Sequence, residues 1–184
     1  MKISLALAGS AVLALCLYQA DLLPEPAAGA GGAARTLEAA EHWDQPSRLE
    51  ARLMVEKYGP PQVVWSDRFE WRSRGPWKRI VVSALGLDPL EEVIDYKVPA
   101  DRLQELARFT HGLRLYPGQG EVAACGDQES LNYLALNLAD DIAAGRRTAA
   151  QANSFFLSAV ELAVAGKSSP YLEGLLFKRA GAAR

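Results

Sequence analysis

The sequence predicts an α+β fold: a small antiparallel sheet of two hairpins and a linking strand, covered by an N-terminal helix and a C-terminal antiparallel helix pair. Residues 62–71 and 77–82 alternate apolar and polar side chains around the turn residues 73–76, as half-buried strands of a hairpin do. Residues 113–124 repeat this arrangement around 117–120. The last third of the chain instead has the apolar spacing of amphipathic helices.

The N-terminus predicts export. Met1-Lys2 precedes the apolar run 3–17, which is shorter than the roughly 20 residues needed to span a bilayer, so residues 1–20 are interpreted as a leader. The cleavage site is open, because Leu15 is large for the residue before a lipidated Cys16 and the residue two before Ala20 is bulky. Three outcomes follow: a soluble protein after cleavage, a lipid anchor at Cys16, or an uncleaved leader.

Residues 21–46 are predicted to be a flexible linker. Pro24-Glu25-Pro26 and the glycine- and alanine-rich residues 27–34 carry too little apolar bulk to bury. The remaining residues, 47–184, are enough for one α+β domain with its own core.

The N-terminal helix of the domain is predicted to begin at Ser47, which forms a capping box with Glu50. Gly59 and the two following prolines end it. Leu49 and Leu53 point away from its main apolar face, so a second covered side near Trp43 is expected. The main face has the spacing i, i+3, i+4, i+7 and consists of Ala51, Met54, Val55 and Tyr58.

The first hairpin is expected to form the centre of the core, because it contains three of the four tryptophans. A four-residue loop at 73–76 would pair Phe69 with Ile80 and Trp71 with Lys78. The inward face would then hold Phe69, Trp71, Ile80 and Val82. Trp77 and Arg79 fall on the opposite face and are candidate binding residues.

A third strand is predicted at 92–98 after a loop at 85–90, and Pro99 ends it. A short helix over 100–109 should follow, with Leu103, Leu106 and Ala107 inward. Residues 113–116 and 121–124 form the second hairpin.

Two helices are predicted next. Asp127 can cap the first and Gly145 ends it; Thr148 with Gln151 forms a capping box for the second, which Gly166 ends. Residues 170–177 are predicted as an edge strand. The first helix should bury Leu131, Leu134, Ala135, Leu138 and Ile142, and the second Ala149, Ala152, Phe156, Val160 and Ala163.

Charge and spacing exclude several classes of function. The net charge is −2 and charges of both signs are interspersed, which argues against a nucleic-acid surface. His42 and His111 are far apart without acidic residues at ligand spacing, so no metal site is predicted. The glycine-rich pieces 29–32 and 118–120 follow no strand-to-helix pattern, so no phosphate-binding loop and no cofactor are expected.

Three further polar residues need an explanation. Cys125, the sole cysteine outside the leader, is predicted to be a buried, inert thiol; a nucleophilic pair with His111 is the weaker hypothesis. Asn132 and Asn137 are unfavourable inside a helix unless their side chains form hydrogen bonds. They are predicted either to satisfy nearby backbone groups or to line a groove, and they complete the set of candidate binding residues.

Four separated motifs resemble a family of uncharacterised exported proteins of Gram-negative bacteria, periplasmic or lipoprotein-like. They are YGPP at 58–61, GPWKR at 75–79, IDY at 94–96 before Val98-Pro99, and NYLALNLA at 132–139. The resemblance implies a location in the periplasm but no activity. Members of that family carry histidines in the loop after the second strand, and residues 83–90 here contain none, so no metal or acid–base role carries over to this loop.

These observations favour a non-enzymatic exported envelope protein that binds a partner protein or a membrane component. The alternative is an exported hydrolase that uses Cys125 or an activated water, in a pocket between the Cys125 region and the face with Asn132 and Asn137.

Overall fold

The computed structural model describes residues 30–178 and has the predicted α+β class, with helices on both sides of a strand-rich middle in chain order. The leader, with Cys16, lies outside the described residues. The helices are α1 (Ala30–Ala39), α2 (Gln45–Tyr58), α3 (Leu103–Leu106, preceded by a 3₁₀ turn at Ala100–Arg102), α4 (Glu129–Ala143), α5 (Ala149–Val164) and α6 (Pro170–Glu173). None of the helices in this part of the chain combines the length and hydrophobicity that crossing a bilayer requires.

One antiparallel sheet contains all six described strands, in the order β1-β2-β3-β4-β6-β5. The strands are β1 (Val63–Val64), β2 (Arg68–Arg74), β3 (Trp77–Ser83), β4 (Leu90–Asp95), β5 (Leu113–Tyr116) and β6 (Glu121–Gly126). Both predicted hairpins form. The linking strand starts and ends earlier than predicted, and the two-residue strand β1 is too short to show a period-two pattern.

The register of the first hairpin differs from the prediction by two residues. Trp71 pairs with Ile80, and the loop contains only Gly75 and Pro76. Gly75 has φ 52°, and a glycine with positive φ followed by proline is the pattern of a type II′ turn. A shift of two residues keeps every side chain on its face, which is why Phe69, Trp71, Ile80 and Val82 are all buried as predicted.

The prediction that Trp77 faces outward is wrong. The Trp77 side chain is 1% exposed and stacks on Tyr133 of α4, with ring centroids 5.0 Å apart. Trp77 is three positions from Ile80, so in a regular strand the two side chains would point to opposite faces. Ser73, across the hairpin, has φ 52°, so regular alternation does not hold next to the turn.

The two faces of the sheet differ in character. The core face carries Phe69, Trp71, Ile80, Leu90, Ile94 and Val122, and these pack with Leu134, Leu138 and Ile142 of α4. The outer face carries charged residues that pair between strands, such as Arg114 with Glu91 at 2.6 Å. The helices therefore build the core on one side of the sheet.

The fold begins upstream of the predicted domain boundary. Helix α1 lies within the range expected to be linker, and Thr36, Ala40 and Trp43 are buried. The Trp43 ring lies 4.2 Å from the Phe69 ring, between centroids. Alanine favours a helix once a neighbouring surface is present, and composition alone could not reveal that surface.

Helix α2 starts two residues before Ser47, so the capping box with Glu50 is wrong. The Asp44 carboxylate is the cap and accepts a hydrogen bond from the Ser47 backbone N–H at 2.9 Å. Pro46 is tolerated because backbone N–H groups in the first helical turn have no acceptor within the helix, so the N–H that proline lacks is not needed there. Glu50 instead points inward and is 3% exposed.

The main face of α2 is buried as predicted, but its second side is not covered. Ala51, Met54 and Val55 belong to the core, whereas Leu49 and Leu53 remain exposed. Trp43 packs on the sheet instead of on those leucines. Helix α3 shows a smaller difference, since Leu106 is buried and Ala107 is exposed.

The C-terminal helices form the predicted pair, with two differences at their ends. Gln128 occupies the cap position of α4 in place of Asp127, and residues 170–173 form α6 where an edge strand was predicted. The Thr148–Gln151 capping box of α5 is confirmed. The buried stripe of α4 is also as predicted, with Leu131 at its half-exposed end.

Candidate functional site

Helix α5 has an apolar stripe that borders its buried face and extends into solvent. The buried residues of the helix are the small Ala149, Ala152 and Ala159, and Val160 is half-buried against the core. Leu157, Val160 and Val164 follow one another at i, i+3 and i+7, with Leu157 57% and Val164 86% exposed. Contrary to the prediction, Val160 is only half-buried and Ala163 is exposed. A surface helix normally carries polar residues outside its buried face, and Leu157 and Val164 instead expose large apolar side chains there, so this stripe needs an explanation.

The stripe borders a groove between the start of α4, the end of α5 and α6. The groove has a volume of about 440 Å³. Its apolar wall consists of Leu131, Val160, Ala163, Val164 and Leu172. The groove and the exposed helical stripe together form one continuous apolar surface.

A smaller pocket of about 280 Å³ lies on the other side of Leu131. His111 and Phe156 form one wall and stack with centroids 4.0 Å apart and planes 5° apart. Asp88 and Asp127 also line the pocket, together with Thr110 and Asn132. Because Leu131 belongs to both, the groove and the pocket are neighbours on one surface.

Two of the predicted binding residues, Trp77 and Asn132, lie instead around buried carboxylates. The Trp77 indole N–H donates to Glu129 Oε1 at 2.9 Å and to the Tyr58 hydroxyl at 3.1 Å. Glu129 also accepts hydrogen bonds from the hydroxyls of Tyr58 and Tyr133 and from Lys57. Burial acts to raise the pKa of Glu129, but these donors outweigh it and lower that pKa.

Glu92 and Glu50 complete the carboxylate cluster. Glu92 is fully buried on β4; its Oε2 accepts from Asn132 at 3.0 Å, while its Oε1 has no hydrogen-bond partner among the described residues. Burial, with the charge of Glu129, raises the pKa of Glu92 well above its usual range. Burial, with the charges of Glu129 and Asp127, raises the pKa of Glu50 to about 7. At neutral pH Glu92 is therefore protonated, Glu50 is about half-protonated and Glu129 is charged.

The cluster links elements of the core. Glu50 comes from α2, Glu92 from β4 and Glu129 from α4, and Trp77 joins the hairpin to them. Within residues 30–178, no group of three or more His, Cys, Asp or Glu side chains is arranged to hold a metal ion.

Asn137 binds the chain's own C-terminal segment. Its amide nitrogen donates to the carbonyls of Tyr171 and Gly174, at 3.0 and 2.8 Å, and its oxygen accepts from the Leu176 N–H at 2.8 Å. The interpretation that the helix asparagines satisfy neighbouring backbone is therefore confirmed for Asn137. For Asn132 both interpretations hold, because it donates to the Leu90 carbonyl at 3.3 Å and also lines the small pocket.

Arg79 lies on the outer face of the sheet, away from the other three predicted binding residues. Its guanidinium is 3.7 Å from Glu121, which Lys78 contacts at 2.8 Å. This arrangement is a cross-strand ion pair on a polar sheet face. The structure thus does not bring the four predicted residues into one site.

Cys125 and His111 both border the small pocket, but the thiol faces the other side of the sheet. Cys125 is paired with Glu91 in the ladder, and its Sγ contacts Glu91 Oε2 at 3.6 Å on the outer face. His111 stacks on Phe156 of α5, on the helix side. Burial, followed by the charge of Glu91, raises the pKa of Cys125 to about 12, the opposite of what a nucleophilic thiol needs.

Sequence reasoning missed both the α5 stripe and the carboxylate cluster. The stripe had a signal, because Glu161 is the single charged residue in the 16 residues of α5. The carboxylate cluster had almost no signal in the sequence. Glu50 resembled a capping residue and Glu92 is next to Glu91 in a strand. Glu129 begins a helix, where acidic residues are common.

Comparisons with known proteins assign no family to the chain. A scan against protein-family models found no match, and neither did searches of the curated proteins and of the solved structures.

Proposed function

We propose that this chain is a non-enzymatic exported envelope protein that binds a partner protein along α5. The observation that carries the proposal is the apolar stripe of α5, in which Leu157 and Val164 are exposed and Val160 is half-buried, together with the groove that it borders. Export is supported by the leader-like residues 1–20 of the sequence.

A partner helix or strand would bury apolar surface that α5 otherwise exposes to water. Each square ångström of apolar surface removed from water contributes about 25 cal/mol to the free energy of binding. Covering the exposed side chains of Leu157 and Val164 would therefore stabilise a complex. The i, i+3, i+7 spacing of the stripe matches the seam along which two helices pack. Leu131 and Leu172 extend the same apolar surface beyond α5.

A protein fits this surface better than a membrane does. Helices that bind lipid surfaces carry Lys and Arg beside their apolar face, which contact the headgroups. The described α5 has no basic residue within its 16 positions, its single charge is the acidic Glu161, and Lys167 is the one basic residue that lines the groove. The proposal therefore commits to a protein partner.

Site-specific photocrosslinking tests the proposal in cells of the source organism. A photoreactive phenylalanine analogue at Leu157 should give one discrete adduct with an envelope protein. Leu87 is the matched control, because it is also an exposed leucine but lies in the β3–β4 loop. The Val164→Asp exchange, combined with the analogue at Leu157 in the same chain, should remove the adduct.

Two outcomes would overturn the proposal. Equal labelling from Leu157 and Leu87, or none from either, would mean that α5 has no dedicated partner. An adduct of twice the mass of the chain would show that a second copy covers α5, so the face would be a dimer interface.

A further inference from the structure

The pocket beside Leu131 differs from the groove in charge. Its wall contains the carboxylates of Asp88 and Asp127 and no Lys or Arg. Arg114, a cation close to Cys125, is paired with Glu91 on the outer face of the sheet. The pocket therefore has a negative potential next to an apolar surface.

His111 adds a hydrogen-bond acceptor to this preference for a cation. His111 and Phe156 stack face to face, with ring centroids 4.0 Å and planes 5° apart, so Phe156 holds the imidazole in place. Burial lowers the pKa of His111, which keeps the imidazole neutral at pH 7. His111 Nε2 is buried without a hydrogen-bond partner among the described residues. A cationic N–H group placed here is attracted by the carboxylates and can donate to the imidazole nitrogen.

We propose that the partner segment bound along α5 inserts an arginine or lysine side chain into the pocket lined by Asp88, Asp127, His111 and Phe156. This inference rests on the proposed function, because the apolar part of the same segment would occupy the groove. Leu131 lines both the groove and the pocket. One partner segment can therefore place an apolar residue in the groove and a nearby basic residue in the pocket.

The size of the pocket agrees with one long side chain. Pockets for drug-sized ligands span roughly 300 to 1,000 Å³, and this pocket, at about 280 Å³, lies just below that range. A guanidinium suits it better than an ammonium, since a planar guanidinium binds a carboxylate in a bidentate manner and keeps further N–H groups for the imidazole.

Binding of small cations tests the pocket without the partner. We would titrate n-butylguanidinium, n-butylammonium and the neutral n-butanol while following backbone amide resonances of Thr110, Gly112, Gly126 and Asp127. Saturable shifts are expected with both cations, larger affinity with the guanidinium, and none with n-butanol. Asp88→Asn, alone and combined with Asp127→Asn, should lower the affinity for both cations. The double variant should lose roughly tenfold in affinity.

A control variant and two outcomes make this test decisive. Asp101→Asn removes another exposed carboxylate, which lines a different pocket together with residues 145–148, and should leave the affinity unchanged. Equal shifts with n-butanol, or cation affinities that the Asp88→Asn variant does not change, would overturn the inference. Spectra of the variants outside the pocket verify that they remain folded.

Crosslinking separates this inference from the proposed function. If the Leu157 adduct forms and survives the Asp88→Asn/Asp127→Asn exchange at full yield, the groove binds a partner but the pocket receives no cation from it. If no adduct forms in any background, the docking function itself fails. A reduced adduct in the double variant, with Asp101→Asn unaffected, supports both.

Discussion

Trp77 donates its indole N–H to Glu129 Oε1 at 2.9 Å and thereby ties the β2–β3 hairpin to the first turn of α4. The same carboxylate receives the hydroxyls of Tyr58, at the end of α2, and of Tyr133. Gly75 in the hairpin loop lies against Tyr58, so that a Cβ there would come within 3.2 Å of the tyrosine ring. Two helices and the hairpin thus meet at one charged group.

Replacing Trp77 by alanine should destabilise the protein about as much as replacing Trp71. Both side chains are at most 1% exposed and both donate an indole N–H, Trp71 to the Gly59 carbonyl at 2.8 Å. Each exchange removes a large buried ring and should cost about 3–5 kcal/mol of unfolding free energy. Urea denaturation measures both.

Two further variants show which part of Trp77 matters. Trp77→Phe keeps an aromatic ring and removes the N–H donor to Glu129, so about 1–3 kcal/mol should be lost. Trp65→Ala, in the same region but half-exposed, should cost distinctly less than either buried tryptophan. If Trp77→Ala costs no more than Trp65→Ala, the indole is not packed between the hairpin and α4.

Asn137→Ala should release the C-terminal segment before it affects the core. The alanine loses the donors to the Tyr171 and Gly174 carbonyls and the acceptor of the Leu176 N–H. Hydrogen exchange should therefore become much faster at the Leu176 amide while the strands stay protected. Asn153→Ala removes a comparable set of side-chain bonds, to Thr110 and Arg108, and should leave Leu176 unchanged. Unaltered exchange at Leu176 in Asn137→Ala would contradict this role.

Elements whose signal is local were predictable from the sequence. The Thr148–Gln151 capping box and the α4 stripe depend on residues a few positions apart, and both are present. The hairpin faces were also predictable, because alternation survives a register shift of two residues. The register depended on the length of the loop, which was predicted as four residues. Gly75 and Pro76 form a two-residue loop by themselves, so the strands extend further toward the turn than predicted.

Features that depend on long-range packing were not predictable. Helix α1 is stable against α2 and the Trp43 region, so its alanine-rich composition was misleading. Trp77 turns inward next to the unusual backbone at Ser73. The meeting of Glu50, Glu92 and Glu129 requires the full arrangement of α2, β4 and α4. For α5, the sequence showed that the helix is almost uncharged, but it did not show which of the apolar residues would pack on the core.

The Cys125 thiol should react slowly in the folded protein. Burial and the charge of Glu91 raise its pKa to about 12, so little thiolate is present at neutral pH. In a Cys16→Ser background, iodoacetamide should label the folded chain on the order of a hundred-fold or more slower than the urea-unfolded chain. Glu91→Gln should speed the labelling, because one of the causes of the raised pKa is removed. Labelling of the native protein at the rate of the unfolded one would revive the thiol-hydrolase hypothesis.

The stability of the protein should fall as pH rises through the range set by Glu50. The pKa of this carboxyl is about 7 in the fold and 4.5 without the fold, so the folded state holds a proton that the unfolded chain releases. The stabilising effect of that proton is complete below about pH 4.5 and is lost as pH rises through 7. The shift corresponds to on the order of 2 to 3 kcal/mol.

Comparison of the wild type with Glu50→Gln isolates this effect, because glutamine has a similar shape and no charge at any pH. Relative to that variant, the wild type should lose on the order of 2 to 3 kcal/mol of unfolding free energy between about pH 4.5 and about pH 8 in urea titrations. Groups that act in the opposite direction, such as Asp141 with its lowered pKa, are present in both proteins and cancel. Glu56→Gln, on the exposed side of the same helix, should not reproduce the pH-dependent gap. A gap that is constant with pH, or that closes as pH rises, would mean that Glu50 is ionised in the folded protein and that Glu129 does not act on it.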